Sequence, residues 1–148
     1  MTKSKRMGPA AEVAENREKE MARLFGVSQQ KLLDCEKALQ DLVNYRIEYS
    51  KRFEQDSAVG MDAHRLQDYR VFLHKLNQGI EQQQRTIQYA EKERDKRKQD
   101  WLYTRSRKQA IGKVVERFQQ QEAQQENKKE QKEIDEIARN LTRFKRAQ

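Results

Sequence analysis

From Ala11 to Phe53, seam positions return at spacings that alternate three and four: Ala11, Ala14, Glu18, Met21, Phe25, Ser28, Leu32, Cys35, Leu39, Leu42, Arg46, Tyr49 and Phe53. Ten of these thirteen are apolar or Cys. A repeat that averages 3.5 residues keeps one stripe of a helix turned towards a partner helix in a left-handed supercoil. After an interruption the same count resumes at Leu66, Tyr69, Leu73, Leu76, Ile80, Gln83, Ile87 and Ala90. It continues through Arg94, Arg97, Trp101, Thr104, Lys108, Ile111, Val115 and Phe118. The spacing predicts two coiled-coil helices, the second with a clean stripe near its start and a broken one from Arg94 onward. No segment shows the period-two alternation of a half-buried strand.

The interruption is Gln55-Asp56-Ser57-Ala58-Val59-Gly60-Met61-Asp62. Asp56, Ser57 and Asp62 compete for backbone hydrogen bonds, and Gly60 accepts a positive φ without penalty. Asp62 is placed to cap the helix that follows, its carboxylate taking amide protons that lack intrahelical partners. A connection this short lays its two helices side by side and antiparallel. The expected fold is therefore all-α, a long antiparallel two-helix coiled-coil hairpin with the turn at about 56–62 and the second helix longer than the first. Pairing about that turn matches residues whose numbers sum to about 118: Tyr49 with Tyr69, Leu42 with Leu76, Leu39 with Ile80, Cys35 with Gln83.

The ends follow from the same count. Residues 1–8 are short, basic and aperiodic, and read as a flexible tail. Residues 9–118 form the hairpin, one elongated unit that opens with Pro9 in the first turn. By the pairing, the first helix runs out opposite Lys108 and all that follows about residue 110 overhangs. Residues 119–148 are a polar helical overhang, with Ala123 alone among polar side chains up to Glu133. Beyond it Ile134, Ile137, Leu141 and Phe144 return at helical spacing, a stripe with no intrachain partner.

Composition narrows the function. With 34% hydrophobic and 38% charged residues in 148, the chain has too little apolar surface for a round core and enough for a narrow seam. Cys35 is the only cysteine, so no intrachain disulfide forms, and no apolar run resembles a signal or a membrane span. A cytoplasmic address is the expectation. The net charge is +8, and Lys92–Arg117 alone holds ten Lys/Arg against four Asp/Glu. Phosphates could meet Arg94, Lys96, Arg97, Lys98, Arg105, Arg107 and Lys108, with Trp101 and Tyr103 stacking on bases. Glu93, Asp95 and Asp100 interrupt that polyanion footprint and favour a mixed-sign protein surface. His64 and His74 stand ten apart without a Cys or carboxylate at metal-ligand spacing, and Cys35 sits on the seam. A two-helix pair offers no concave pocket and no Gly-rich phosphate loop. The chain reads as a non-enzyme with no catalytic residues, no metal and no cofactor of its own.

The seam leaves some apolar residues unexplained. In an antiparallel pair the g positions share one flank, here Ala38 and Tyr45 beside Phe72 and Gly79. Two aromatics next to two small residues suit a partner's ridge or pocket. The e flank offers Glu36, Val43 and Ser50 against Arg70, Asn77 and Gln84, mostly solvated surface.

Leu42-Val43-Asn44-Tyr45-Arg46-Ile47-Glu48-Tyr49, the bend near residue 58, and Asp68-Tyr69-Arg70-Val71-Phe72-Leu73 with Leu76 together resemble the FliJ family of flagellar export proteins, over roughly residues 11–144. The resemblance implies an antiparallel hairpin similar to the central stalk subunit of rotary ATPases, in a soluble component of the flagellar type III export apparatus. It implies insertion of the end holding both termini into the hexameric export ATPase, promotion of ring assembly, binding to the cytoplasmic domain of the export-gate membrane protein, and escort of export chaperones. Such a chain is cytoplasmic and peripheral to the inner membrane at the flagellar base through its partners. The family's gate-binding face maps onto Ala38, Leu42, Tyr45, Tyr49, Phe72, Leu76, Gly79 and Gln83. Its ATPase-ring end maps onto the basic end, with Arg94, Lys96, Arg97, Lys98 and Arg105 and the Phe118 overhang. Two other classes compete: a basic nucleic-acid-binding coiled coil, and a structural homodimer that pairs its apolar flank with itself.

Overall fold

The computed structural model describes residues 1–148 and contains helices only. A single turn, α1 (Lys3–Arg6), precedes α2 (Gly8–Val59) and the longer α3 (Ala63–Ala147). Ala, Glu, Gln, Lys, Arg and Leu, all strong helix formers, fill most solvent-facing positions. The turn is tighter than its sequence suggests, because only Gly60–Asp62 leave the helical state. Ser57 Oγ donates to the Glu54 carbonyl (3.0 Å) and stays inside the last turn of α2 instead of ending it. Gly60 has φ +110°, open to glycine without a Cβ penalty. Asp62 caps α3, its Oδ1 accepting from the Arg65 amide at 2.8 Å.

The chain forms two compact units, residues 20–102 and residues 1–19 with 103–148. The boundary on α3 falls just past Arg94 and Arg97, where the apolar stripe is broken.

The unit of residues 20–102 is an antiparallel hairpin. Leu32, Leu76, Ile80 and Ala90 are its buried apolar residues. The polar side chains on the stripe are each provided for. Ser28, also buried, returns its hydroxyl to the Phe25 carbonyl at 2.7 Å. Gln83 Nε2 crosses the seam to the Cys35 carbonyl at 2.9 Å, and Arg46 Nη1 donates to Asn77 Oδ1 at 3.1 Å. Polar seam residues that find partners cost little and fix the register. Gln83 with Cys35 and Tyr49 with Tyr69 both follow the sum of 118. Phe25 stacks on Trp101 at 5.7 Å, numbers that sum to 126.

In the other unit Ala14 is buried, and Ile111, Val115 and Phe118 are half-buried. Lys108 Nζ lies 3.8 Å from a Glu18 carboxylate oxygen. Residues 1–8, expected as a loose tail, hold α1, whose N-cap Thr2 accepts from the Lys5 amide. The Ser4 amide and hydroxyl both donate to the Glu122 carboxylate, at 3.0 and 2.7 Å, and Lys3 Nζ stands 5.7 Å from the Phe118 ring centroid. The first helix therefore does not run out opposite Lys108. Exposed helix begins only after Glu122 and continues to Ala147.

Hydrogen bonds from the Ser4 backbone and then its side chain hold the Glu122 carboxyl below the ordinary glutamate range. A carboxyl lowered in the folded state contributes attachment above its unfolded pKa, about 4.3, and loses it as the pH falls through the lower folded value. The Ser4 amide should thus be protected from hydrogen exchange at pH 6 and lose that protection in acid below pH 4. Glu122→Gln should flatten the profile; equal protection at both pH values in the parent chain would contradict the contact.

Candidate interaction surfaces

The g flank near the bend is an aromatic ladder rather than two isolated rings. Tyr45 meets Phe72 edge-on at 5.9 Å and stacks on Tyr49 at 6.3 Å; Tyr49 tilts against Phe72 at 4.5 Å and stacks on Tyr69 at 5.1 Å; Tyr69 stacks on Phe53 at 3.7 Å. Rings on facing helices at these separations gain about 0.5–1.5 kcal/mol per pair beyond the area they bury. They rigidify one another, so the exposed edge is preorganised. Tyr45 remains 44% exposed, and burial among the other rings pushes the Tyr49 hydroxyl pKa upward.

The eight residues expected to form a gate-binding face lie at different depths. Ala38 and Tyr45 are exposed; Leu42, Tyr49, Phe72 and Gly79 are half-buried. Leu76 is buried in the seam beneath the face, and Gln83 is turned inward to the Cys35 carbonyl. Nothing lies within 4 Å of the position a Gly79 Cβ would take, so the backbone there is open to a close approach. Towards the bend the ladder borders a cleft of about 280 Å³ lined by Tyr49, Arg52, Phe53, Asp56, Met61, Arg65, Asp68 and Tyr69. Tyr69 and Phe53 were legible only as seam residues. The signal that they extend the ladder was the pairing rule itself, which sets Tyr69 against Tyr49, one turn from Phe53.

The basic residues divide between the units. In residues 20–102, Arg94 binds Asp95 Oδ1 through Nε and Nη2 at 3.1 and 2.9 Å, and Arg97 Nε binds Glu93 at 3.0 Å. Lys96 and Lys98 are exposed. Trp101 is half-buried against Phe25, which takes it off the surface available to a base. In the other unit Arg105 is exposed and Phe118 is half-buried under Lys3.

The model of the flagellar FliJ protein family matches residues 3–147. The chain belongs to the FliJ family. It is 27% identical over 127 residues to the flagellar FliJ proteins of Escherichia coli (strain K12) and Salmonella typhi, covering 86% of each and 86% of this chain. No solved structure matches it. Membership makes this a flagellar export-related protein. No helix of this FliJ-family chain is long and apolar enough to cross a membrane. The ladder groups aromatic side chains on one flank of residues 20–102. The C-terminal stripe stands uncovered in its unit, with Ile134, Ile137, Leu141 and Phe144 each more than half exposed.

Proposed function

We propose that this FliJ-family chain couples the hexameric export ATPase to the export gate and escorts export chaperones, hydrolysing nothing itself. The observation that carries the reading is the aromatic ladder on one flank of residues 20–102. Tyr45 and Phe72 present a preorganised edge to the cytoplasmic domain of the gate protein, with Tyr49 and Leu42 behind them, Leu76 supporting from the seam, and Ala38, Gly79 and Gln83 at the margin. Exposed aromatics held rigid by neighbours are the residues on which binding energy concentrates. The ATPase ring is assigned to Lys96, Lys98 and Arg105, the exposed members of the basic set, with Arg94, Arg97 and Phe118 in support. Association with the inner membrane then runs through the gate and the ATPase.

A pull-down with the purified export ATPase and gate domain tests the reading, beside a nucleic-acid shift assay in physiological salt. Retention of both proteins without a shift supports it; a shift without retention overturns it. A concentration-independent monomer mass in light scattering removes the homodimer alternative. Reversing Lys96, Lys98 and Arg105 to Glu should lower stimulation of ATP hydrolysis at least severalfold, because like charges juxtaposed at an interface cost several kcal/mol. Unchanged stimulation would take these residues out of the mechanism.

A further inference from the structure

A second concavity lies wholly within the unit of residues 1–19 and 103–148, a groove of about 330 Å³ lined by Pro9, Ala10, Val13, Ala14, Arg17, Tyr103, Thr104, Arg107 and Ile111. Its origin is local. Ala10 and Ala14 give α2 a low wall, whereas Tyr103 stands up from α3, 66% exposed, and Val13 is 51% exposed opposite. The floor is apolar, from Ala10, Val13, Ala14 and Ile111.

Two guanidinium groups from different helices, Arg17 and Arg107, line the same groove, and neither forms an ion pair or a hydrogen bond. The carboxylates closest to Arg17 in sequence are engaged elsewhere, Glu15 with Lys19 at 3.3 Å and Glu18 with Lys108, and no carboxylate lies within six residues of Arg107. An apolar trough bordered by two uncompensated cations is shaped for a ligand that brings an apolar body and negative charge together.

We infer that this groove docks an amphipathic helix of a partner protein, one that inserts a single large apolar side chain flanked by carboxylates one turn to either side. The volume suits one Leu or Phe side chain with water displaced, and the arginines supply the bidentate donors that carboxylates take. A second copy of this chain does not suit it. Its one free apolar stripe lies in residues 134–148, which carry four Lys/Arg against two Asp/Glu and would be repelled. A polynucleotide would meet two cations over a mostly apolar floor. The inference uses none of the residues assigned to the gate or the ATPase ring, so it stands or falls separately from the proposed function.

The test uses the full chain and a fluorescein-labelled, 20-residue helical peptide with one central Leu and Glu at the fourth position before and after it. A matched peptide with Lys at those positions is the control. Fluorescence anisotropy should show the Glu peptide bound at least about tenfold more tightly than the Lys peptide, with the preference weakening in high salt. Arg17→Glu with Arg107→Glu should reverse the preference. Val13→Asn should weaken both peptides, and circular dichroism should show each variant still helical, since all three positions are exposed. Equal binding of the two peptides, no binding of either, or a preference that survives the double reversal would overturn the assignment. So would a single-stranded oligonucleotide that outcompetes the Glu peptide.

Discussion

Replacing Tyr45 and Phe72 together by Ala is expected to cut binding to the export-gate domain by two orders of magnitude or more, while the chain stays helical at 25 °C. Two aromatic anchors at the centre of an interface each cost about 2 kcal/mol or more when truncated, and about 1.4 kcal/mol is a factor of ten. The two substitutions differ in kind. Tyr45 is 44% exposed and stands at the open end of the ladder, stacked on Tyr49 and edge-on to Phe72, so Tyr45→Ala should weaken binding and lower the melting temperature only modestly. Phe72 lies between Tyr45 and Tyr49, and its loss loosens the ladder as well as the surface. Calorimetric titration and thermal melting of each single variant separate the effects: Tyr45→Ala should raise Kd at a small cost in stability, Phe72→Ala at a larger one. Gate binding by the double variant within threefold of the parent chain would remove the ladder from the interface. Gly79→Ala makes a finer probe. Open space lies beyond its Cα, so an added methyl cannot disturb the chain itself, and any loss of binding reports the partner's approach.

The seam was legible because burial in a two-helix pair depends on little except the alternating three-four spacing. All thirteen positions read from Ala11 to Phe53 are buried or half-buried, including Glu18, Ser28 and Arg46, which a hydropathy profile would have discarded. On the second helix Lys108 alone is exposed, its long stem carrying the ammonium out to Glu18. Register was legible only near the bend, where the connection fixes it. Farther along, at Phe25 and Trp101, the paired numbers sum to 126, a shift that a count of positions from the bend does not carry. The anchoring of α1 was hidden for the same reason, since no periodic signal links Ser4 to Glu122. The candidate surface was half visible. Position on the flank named Tyr45 and Phe72, and position on the stripe set Leu76 and Gln83 in the seam, where the structure has them; the angles between the rings depend on which neighbour each side chain meets. The groove under Arg17 and Arg107 was invisible, being made of what is missing between small residues on one helix and a tyrosine on the other.

Leu76→Ala combined with Ile80→Ala should destabilise residues 20–102 more than any surface change, by about 4–6 kcal/mol, since each truncation in a packed core costs about 2–5 kcal/mol and the pair is not fully additive. The lower part of the range applies because many flanking seam residues are only half-buried, so they can settle into the space. The loss is still large against its background. The buried apolar residues of this hairpin are Leu32, Leu76, Ile80 and Ala90, and a domain's whole stability is about 5–15 kcal/mol. A drop of roughly 10–20 °C in the thermal midpoint follows from about 2–4 °C per kcal/mol at this chain length. Leu33→Ala is the control: it removes a side chain of the same volume as Leu76, but one that is 57% exposed, and should shift the midpoint by about a degree or two. If the two experiments gave equal shifts, apolar content along the helix rather than position on the stripe would govern stability, and the antiparallel pairing that carries the ladder would lose its basis.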